Sequence, residues 1–279
     1  MRRIARTLKK EGVVISYGCV WKILRRYKKL KPRERKTVRR TGRRYYNPLD
    51  FDPFQFMQLD LKEIIDGSAL PKDVYYQFLK LKETGVLMYR FTAIDVKTRI
   101  RFIAYAQEKS FANGWAFILL VIFWLRAFGI SHRITIQTDW GEEFGGKSQR
   151  KIREMNNLLA NLNAEITRIQ KGKKEQNGYV ERSHRIDDEE LYIPYGKEIK
   201  DIASQFHIGY SWIRYYNTLR PHYGKELDGK TPLEYLKEIM PEIHPYIALF
   251  PPVFLDKIAT ASTWRGGKDM CKHYTISSY

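Results

Sequence analysis

The sequence predicts an α/β protein: a mixed five-stranded sheet flanked by helices, preceded by a small basic helical module. Three observations carry this. Three strand-like runs follow one another closely between residues 54 and 110, short strands then alternate with helices as far as about residue 240, and positive charge is crowded before residue 45.

Residues 1–30 read as two short helices. The first, "IARTLKK", is ended by Gly12, and the second, "YGCVWKILRRYKK", starts after Ser16, a good N-cap. Val20, Ile23, Leu24 and Tyr27 fall at helical spacing, with Lys22, Arg25, Arg26 and Lys29 largely on other faces. This is the layout of a helix-turn-helix, whose second helix reads base edges in the major groove. A basic helical hairpin with no sequence reading is the plainer alternative.

Residues 31–50 are Arg-rich and lack apolar periodicity, which fits a linker tracking phosphates; Arg39, Arg40, Arg43 and Arg44 are its candidate contacts. The core is assigned to residues 51–240. "FQFMQLDLKEI", "LMYRFTAIDVKTR" and "IRFIAYAQEKS" read as strands of an antiparallel meander, the last two joined at "DVKTR", where Asp95 is read as a turn residue paired with Arg99. "FANGWAFILLVIFWLRAFG" is apolar on nearly every face, so it is a helix buried against a sheet. "RITIQTD" is a strand, "KSQRKIREMNNLLANLN" a helix and "AEITRIQK" the fifth strand. Helices follow over 177–191 and "IASQFHIGYSWIRYYNTLR", where Trp212, Tyr215 and Tyr216 read as core more than as base-stacking platforms. Residues 241–279 form a proline-interrupted extension with no assigned role and no element expected after about Leu255.

Composition narrows the function. Residues 1–44 hold 18 Lys/Arg against 2 acidic residues, or +16 of the total +19, whereas the remaining 235 residues hold 32 against 29. Such polarity indicates a polyanion-binding arm on an ordinary globular body. Nucleic acid is favoured over a membrane surface because the arm offers only scattered large apolar residues. The longest apolar run, "AFILLVIFWL", is ten residues and too short to span a bilayer. The opening "MRRIARTLKK" has no apolar leader, and the two cysteines lie far apart, so an intracellular, reducing location is expected, in the cytoplasm or on the nucleoid.

Three carboxylates stand out. Asp60 sits mid-strand in an apolar surround, where aspartate is unfavourable without a partner. Asp139 closes a strand, where a sheet presents ligands outward, and Glu181 lies just inside a helix opened by Asn177-Gly178. On that helix Asn177, Glu181, Arg185 and Asp188 form one stripe. If folding gathers the three acids, they make an all-oxygen site suited to Mg²⁺ or Mn²⁺. Two such ions activate a nucleophile and stabilise the leaving oxygen in phosphodiester chemistry.

"FMQLDLKEI", "IQTDWGEEF", "EQNGYVERSHRIDDEELY" and "YYNTLRPHYGKELDGKTPLEYL" together resemble the DDE transposases of bacterial insertion sequences, whose catalytic core is of the retroviral-integrase type. The resemblance spans roughly residues 54–240, and the N-terminal segment resembles the family's helix-turn-helix arm. It implies a ribonuclease-H-like core in which Asp60, Asp139 and Glu181 are the catalytic and metal-binding residues, with two ions. It also implies double-stranded DNA as substrate, both element ends and target, and a homo-multimer that handles two ends together. Asn177, His184 and Arg185, beside Glu181, would then meet DNA, with Gly178 allowing close backbone approach; surface pairing is the bland reading of His184 and Arg182. The chain departs from the pattern at Trp140, commonly Asn in the family, and at Asp188, where many relatives are basic. Glu63, Glu142 and Glu143 read as supporting or solvent-facing acids. The expected activity is hydrolysis at mobile-element ends followed by joining of the 3′-hydroxyl to target DNA. A non-catalytic DNA-binding regulator and a ribonuclease-H-class nuclease remain as alternatives.

Overall fold

The computed structural model describes residues 1–27 and 45–262 of the 279-residue chain. Arg39, Arg40, Arg43 and Arg44 lie outside the described residues.

Helices α1 (Arg2–Lys10) and α2 (Tyr17–Arg26) stand where the sequence places them. Gly12 takes φ +83° in the turn between them, and the Ser16 hydroxyl caps α2 by accepting from the Cys19 N–H at 3.1 Å. Their shared apolar face is thin. Val20 is buried, but Ile23 is 45% and Tyr27 67% exposed, so the pair does not enclose a core of its own. Arg6 instead reaches the 222–230 loop, donating to the Asp228 carbonyl at 2.7 Å and lying over the Tyr223 ring.

The sheet is built from β1 (Phe56–Glu63), β2 (Tyr89–Asp95), β3 (Arg101–Ala106), β4 (Ile134–Thr138) and β5 (Ala164–Arg168), in the order β3-β2-β1-β4-β5. β1, β2 and β3 pair antiparallel, and β4 and β5 run parallel to β1. This is the mixed, ribonuclease-H-like arrangement expected. A helix the sequence reading left out, α3 (Lys72–Leu81), lies between β1 and β2; Val74 and Phe78, four residues apart, bury its inner face. Asp95 does sit at the β2–β3 turn and meets Arg99 through the backbone, its carbonyl accepting from the Arg99 N–H at 2.9 Å, while its carboxylate accepts from the Thr98 N–H at 2.8 Å and hydroxyl at 2.6 Å.

Strand alternation gives the sheet two unlike faces. Met57, Leu59, Phe91, Ala93, Phe102 and Ile136 point to a dry core shared with α4 (Phe111–Ala127) and α5 (Gln149–Ala160). The same core takes in Ile243, Ile247, Ala248, Phe250 and Leu255, so packing continues past residue 240. Trp124 Nε1 donates to the Ile247 carbonyl at 2.9 Å, which explains why α4 is apolar on both sides.

The opposite face carries Gln58, Asp60, Lys62, Arg90, Arg101 and Gln137 beneath α6 (Gly178–Asp187). After α6 the chain makes a π-helical turn (Asp188–Tyr192), the short α7 (Ile193–Tyr195), α8 (Ile202–Thr218) and α9 (Pro232–Ile239). Asp187, at the end of α6, anchors this layer. It accepts two hydrogen bonds from Arg101, both at 2.9 Å, one from Trp212 Nε1 at 2.6 Å, and one from Arg90. All four side chains are buried or nearly so; taking away one partner of such a pair costs about 3–5 kcal/mol because the other charge stays uncompensated. Trp212 and Tyr216 are core, as read, while Tyr215 is 38% exposed. A last helix, α10 (Leu255–Ser262), is fastened by Asp256, which accepts from the Gln107 N–H at 2.7 Å.

Candidate active site

The β1–β4 ladder pairs Phe56 with Thr135, Met57 with Ile136 and Gln58 with Gln137. Continued by two residues, past the end of β4, this register would bring Asp139 opposite Asp60. Asp60 is on the α6 side of its strand and 19% exposed in its side chain. Its Oδ1 accepts from the Leu61 N–H at 2.9 Å, and Asp139 Oδ1 accepts from the Gly141 N–H at 2.8 Å.

Two glutamines bring Glu181 to these aspartates. Gln58 and Gln137, each two residues before its Asp and on the same strand face, both donate to the Gln176 carbonyl, at 2.6 and 3.0 Å. Gln58 Oε1 then accepts from the Tyr179 N–H at 2.9 Å, one of the donors a helix start leaves unsatisfied. Asn177 Nδ2 adds a bond to the Leu59 carbonyl at 3.2 Å. The first turn of α6 is thereby stapled across β1 and β4, with Glu181 exposed on the helix. The signal was present in the sequence: "QLD" and "QTD" repeat a Gln-x-Asp spacing.

Asp60 is electrostatically coupled to the other carboxylates. The Asp60 carboxyl is pushed up to about 8, by burial first, then by the charge of Asp139, with smaller contributions from Glu181 and Glu143 and opposition from the Leu61 N–H. His184 Nδ1 lies 3.6 Å from Asp60 Oδ2. Burial, with Arg90 adding to it, holds the imidazole well below its ordinary value, so the ring is neutral near pH 7. Among the described residues, no group of three or more His, Cys, Asp and Glu is placed to hold a metal ion. Asp60, Asp139 and Glu181 are hard oxygen donors of like charge, which is the donor chemistry a divalent cation takes.

The residues singled out as DNA contacts divide. Lys22, Arg25, Arg26 and Arg185 are exposed; Asn177 and His184 are buried and committed to the sheet side of α6. Arg182 is exposed beside Glu181. Gly178 has φ −63° and open space where a Cβ would stand, so neither backbone conformation nor crowding within the protein requires glycine there. Asp188 pairs with Lys62 at 3.0 Å, and Lys62 is two residues beyond Asp60 on the same face. Trp140 donates from Nε1 to the Ile169 carbonyl at 2.9 Å and lies under the Arg168 guanidinium, joining the exits of β4 and β5. Beyond that latch, Lys171, Lys173 and Lys174 are exposed on the loop leading to α6. A groove of about 770 Å³ lies along another side of α6, lined in part by Tyr46, Arg99, Tyr179, Arg182, Arg220 and His222; none of the three carboxylates lines it.

Residues 162–232 match the family model described as "Integrase core domain". The matched stretch holds β5, α6 and α8, and stops short of Asp60 and Asp139. No curated protein matches the chain. Among solved structures, it is similar to a chain of the simian T-cell lymphotropic virus intasome in complex with PP2A regulatory subunit B56 gamma. That likeness has 16% identity and a TM-score of 0.45, and covers 66% of this chain and 54% of that one. It is also similar to the catalytic core domain of BIV integrase, at 16% identity and a TM-score of 0.40, over 68% of this chain and 98% of that one. The chain spans about half the length of the intasome chain it matches. The family match over α6 and the strand order of the sheet support an integrase-type core.

Proposed function

We propose that this protein is a DNA strand-transfer enzyme, a transposase of the bacterial insertion-sequence kind, acting at the ends of a mobile element. One observation carries the reading: Asp60 lies within β1 and Asp139 directly follows the parallel neighbour β4, and the helix bearing Glu181 is stapled across these two strands within an integrase-type core. A like-charged cluster opposes folding, and a protein that only bound DNA would gain nothing from one.

Asp60, Asp139 and Glu181 would hold Mg²⁺ or Mn²⁺, two ions in this reading, which when bound activate a water or 3′-hydroxyl and stabilise charge on the leaving oxygen. The chain's own residues do the rest. The N–H groups of Leu61 and Gly141 fix one oxygen of each aspartate and so orient the other. The neutral His184 fills the sheet side of the site without adding positive charge against Asp60. Arg182 and Arg185, flanking Glu181, and Lys171, Lys173 and Lys174 grip the phosphates of the strand. The α1–α2 module with the basic segment after it recognises the element ends. Water breaks the phosphodiester at the end of the element and leaves a 3′-hydroxyl. That oxygen then bonds to a target phosphorus as the target's own 3′-oxygen departs, with no covalent protein intermediate. Two ends are processed in one multimer.

Asp60→Asn, Asp139→Asn and Glu181→Gln each keep binding to a duplex bearing the element end and lose cleavage and strand transfer. Ordinary transfer by any of the three with Mg²⁺ overturns the reading.

A further inference from the structure

Glu143 lies in a short 3₁₀ turn (Glu142–Phe144) just after Asp139, and three contacts fix it. Its backbone carbonyl is pressed into α4 at Gly114, where a Cβ would overlap the oxygen. Its carboxyl fills the space beside Gly141, where a Cβ would stand 2.6 Å from both carboxylate oxygens. Next to it, Phe144 is buried edge-on against Phe91. The glycines at 114 and 141 therefore seat this carboxylate.

The seat has an unexplained occupant. The Glu143 side chain is 3% exposed. Oε1 faces Lys109 Nζ at 3.4 Å, and Oε2 is buried with no hydrogen-bond partner among the described residues. A buried acceptor left unpaired costs about 1–3 kcal/mol, more when charged, so a group held so firmly calls for a missing partner. Burial raises the carboxyl above its ordinary value and Asp139 adds to this, while the residue's own backbone N–H and Lys109 oppose it. The Glu143 charge reaches Asp60 as well, so the orphan belongs to the same electrostatic cluster.

We propose that Glu143 is a fourth acidic member of the site, a positioning residue whose Oε2 accepts a hydrogen bond from the hydration water of a divalent cation held at Asp60 and Asp139. The inference rests on the function proposed above. Glu143 acts on the cation through water, and Lys109 competes with the cation for its charge. Outer-shell partners of this kind contribute roughly 10–100-fold to metal affinity.

The test is Mn²⁺ binding to the full-length protein without DNA, read from the electron paramagnetic resonance signal of free Mn²⁺. Glu143→Gln weakens binding about tenfold, and Lys109→Met strengthens it, because the competing ammonium is gone. A packing role would not produce opposite signs. Unchanged affinity in Glu143→Gln, or weaker binding in Lys109→Met, overturns the inference while the wild type still binds. Should Glu143→Gln fail to fold, Lys109→Met decides alone, since the Lys109 side chain is half exposed. A wild type that takes up no Mn²⁺ overturns the proposed function itself, and this inference with it.

Discussion

At Asp60 two forces act in the same direction: burial disfavours its charge, and Asp139 repels it. An aspartate in a strand is legible as an anomaly, and so is the Gln-x-Asp spacing that repeats at Asp139. The burial of His184 and Asn177 was not, because on a short helix a polar residue facing a polar sheet layer looks like one facing water. The consequence for Asp60 has a definite sign. Its folded-state value of about 8 lies above the ordinary 3.8, so folding takes up a proton. The stability linked to it is complete below about pH 4 and is lost as pH rises through 8. In chelator, Asp60→Asn should therefore match the wild type near pH 4 and become the more stable protein by pH 9, by on the order of a few kcal/mol. Mg²⁺ should narrow the gap by favouring the charged form. Thermal melts at pH 5 and 9 check this; a gap that does not widen with pH removes the like-charge account.

The elements divide by how their stability is supplied. β1 to β5 and α8 were readable because each buries a periodic apolar face, and α4 because it is apolar on nearly every face. α3 was missed because its inner face rests on Val74 and Phe78 within a Lys- and Tyr-rich run. α10 was missed because a bond to a distant element holds it: its own Asp256 accepts from Asn113 Nδ2 near the start of α4 at 2.9 Å. α6 is the case that matters for function. Its pattern is weak, since the face it buries is polar, and what positions it is bonding to Gln58, Gln137, Arg90 and Arg101 rather than apolar packing. Gln58→Leu keeps volume while removing the donor to Gln176 and the acceptor for the Tyr179 N–H. It should cost about 1–3 kcal/mol in urea unfolding. It should also speed amide exchange at Tyr179 and Val180 more than in β1, and lower strand transfer while leaving DNA affinity unchanged. Equal loss of binding and transfer would show that α6 is not the element this glutamine controls.

Across the whole molecule, charge and shape are segregated. The body from residue 45 onward is nearly neutral, with 32 Lys/Arg against 29 acidic residues, while +16 is carried on the first 44 residues. In α2 the cations Lys22, Arg25 and Arg26 all face solvent, on a helix that buries only Val20. A segment with so little core of its own is suited to gaining its order from a polyanion, and counterion release would then dominate its affinity. Each phosphate contacted contributes about 0.9 to the slope of log affinity against log salt, so a grip on six to ten phosphates loses roughly 10³–10⁵ in affinity between 50 and 200 mM salt. Replacing Lys22, Arg25 and Arg26 together with alanine should lower that slope by about 2–3 in fluorescence anisotropy with a labelled duplex. The same triple variant should melt within about 0.5 kcal/mol of the wild type, because exposed charges away from a packed face contribute little. An unchanged slope would move the DNA grip from α2 to the lysines and arginines around α6, and the site would then have to hold its substrate without the arm.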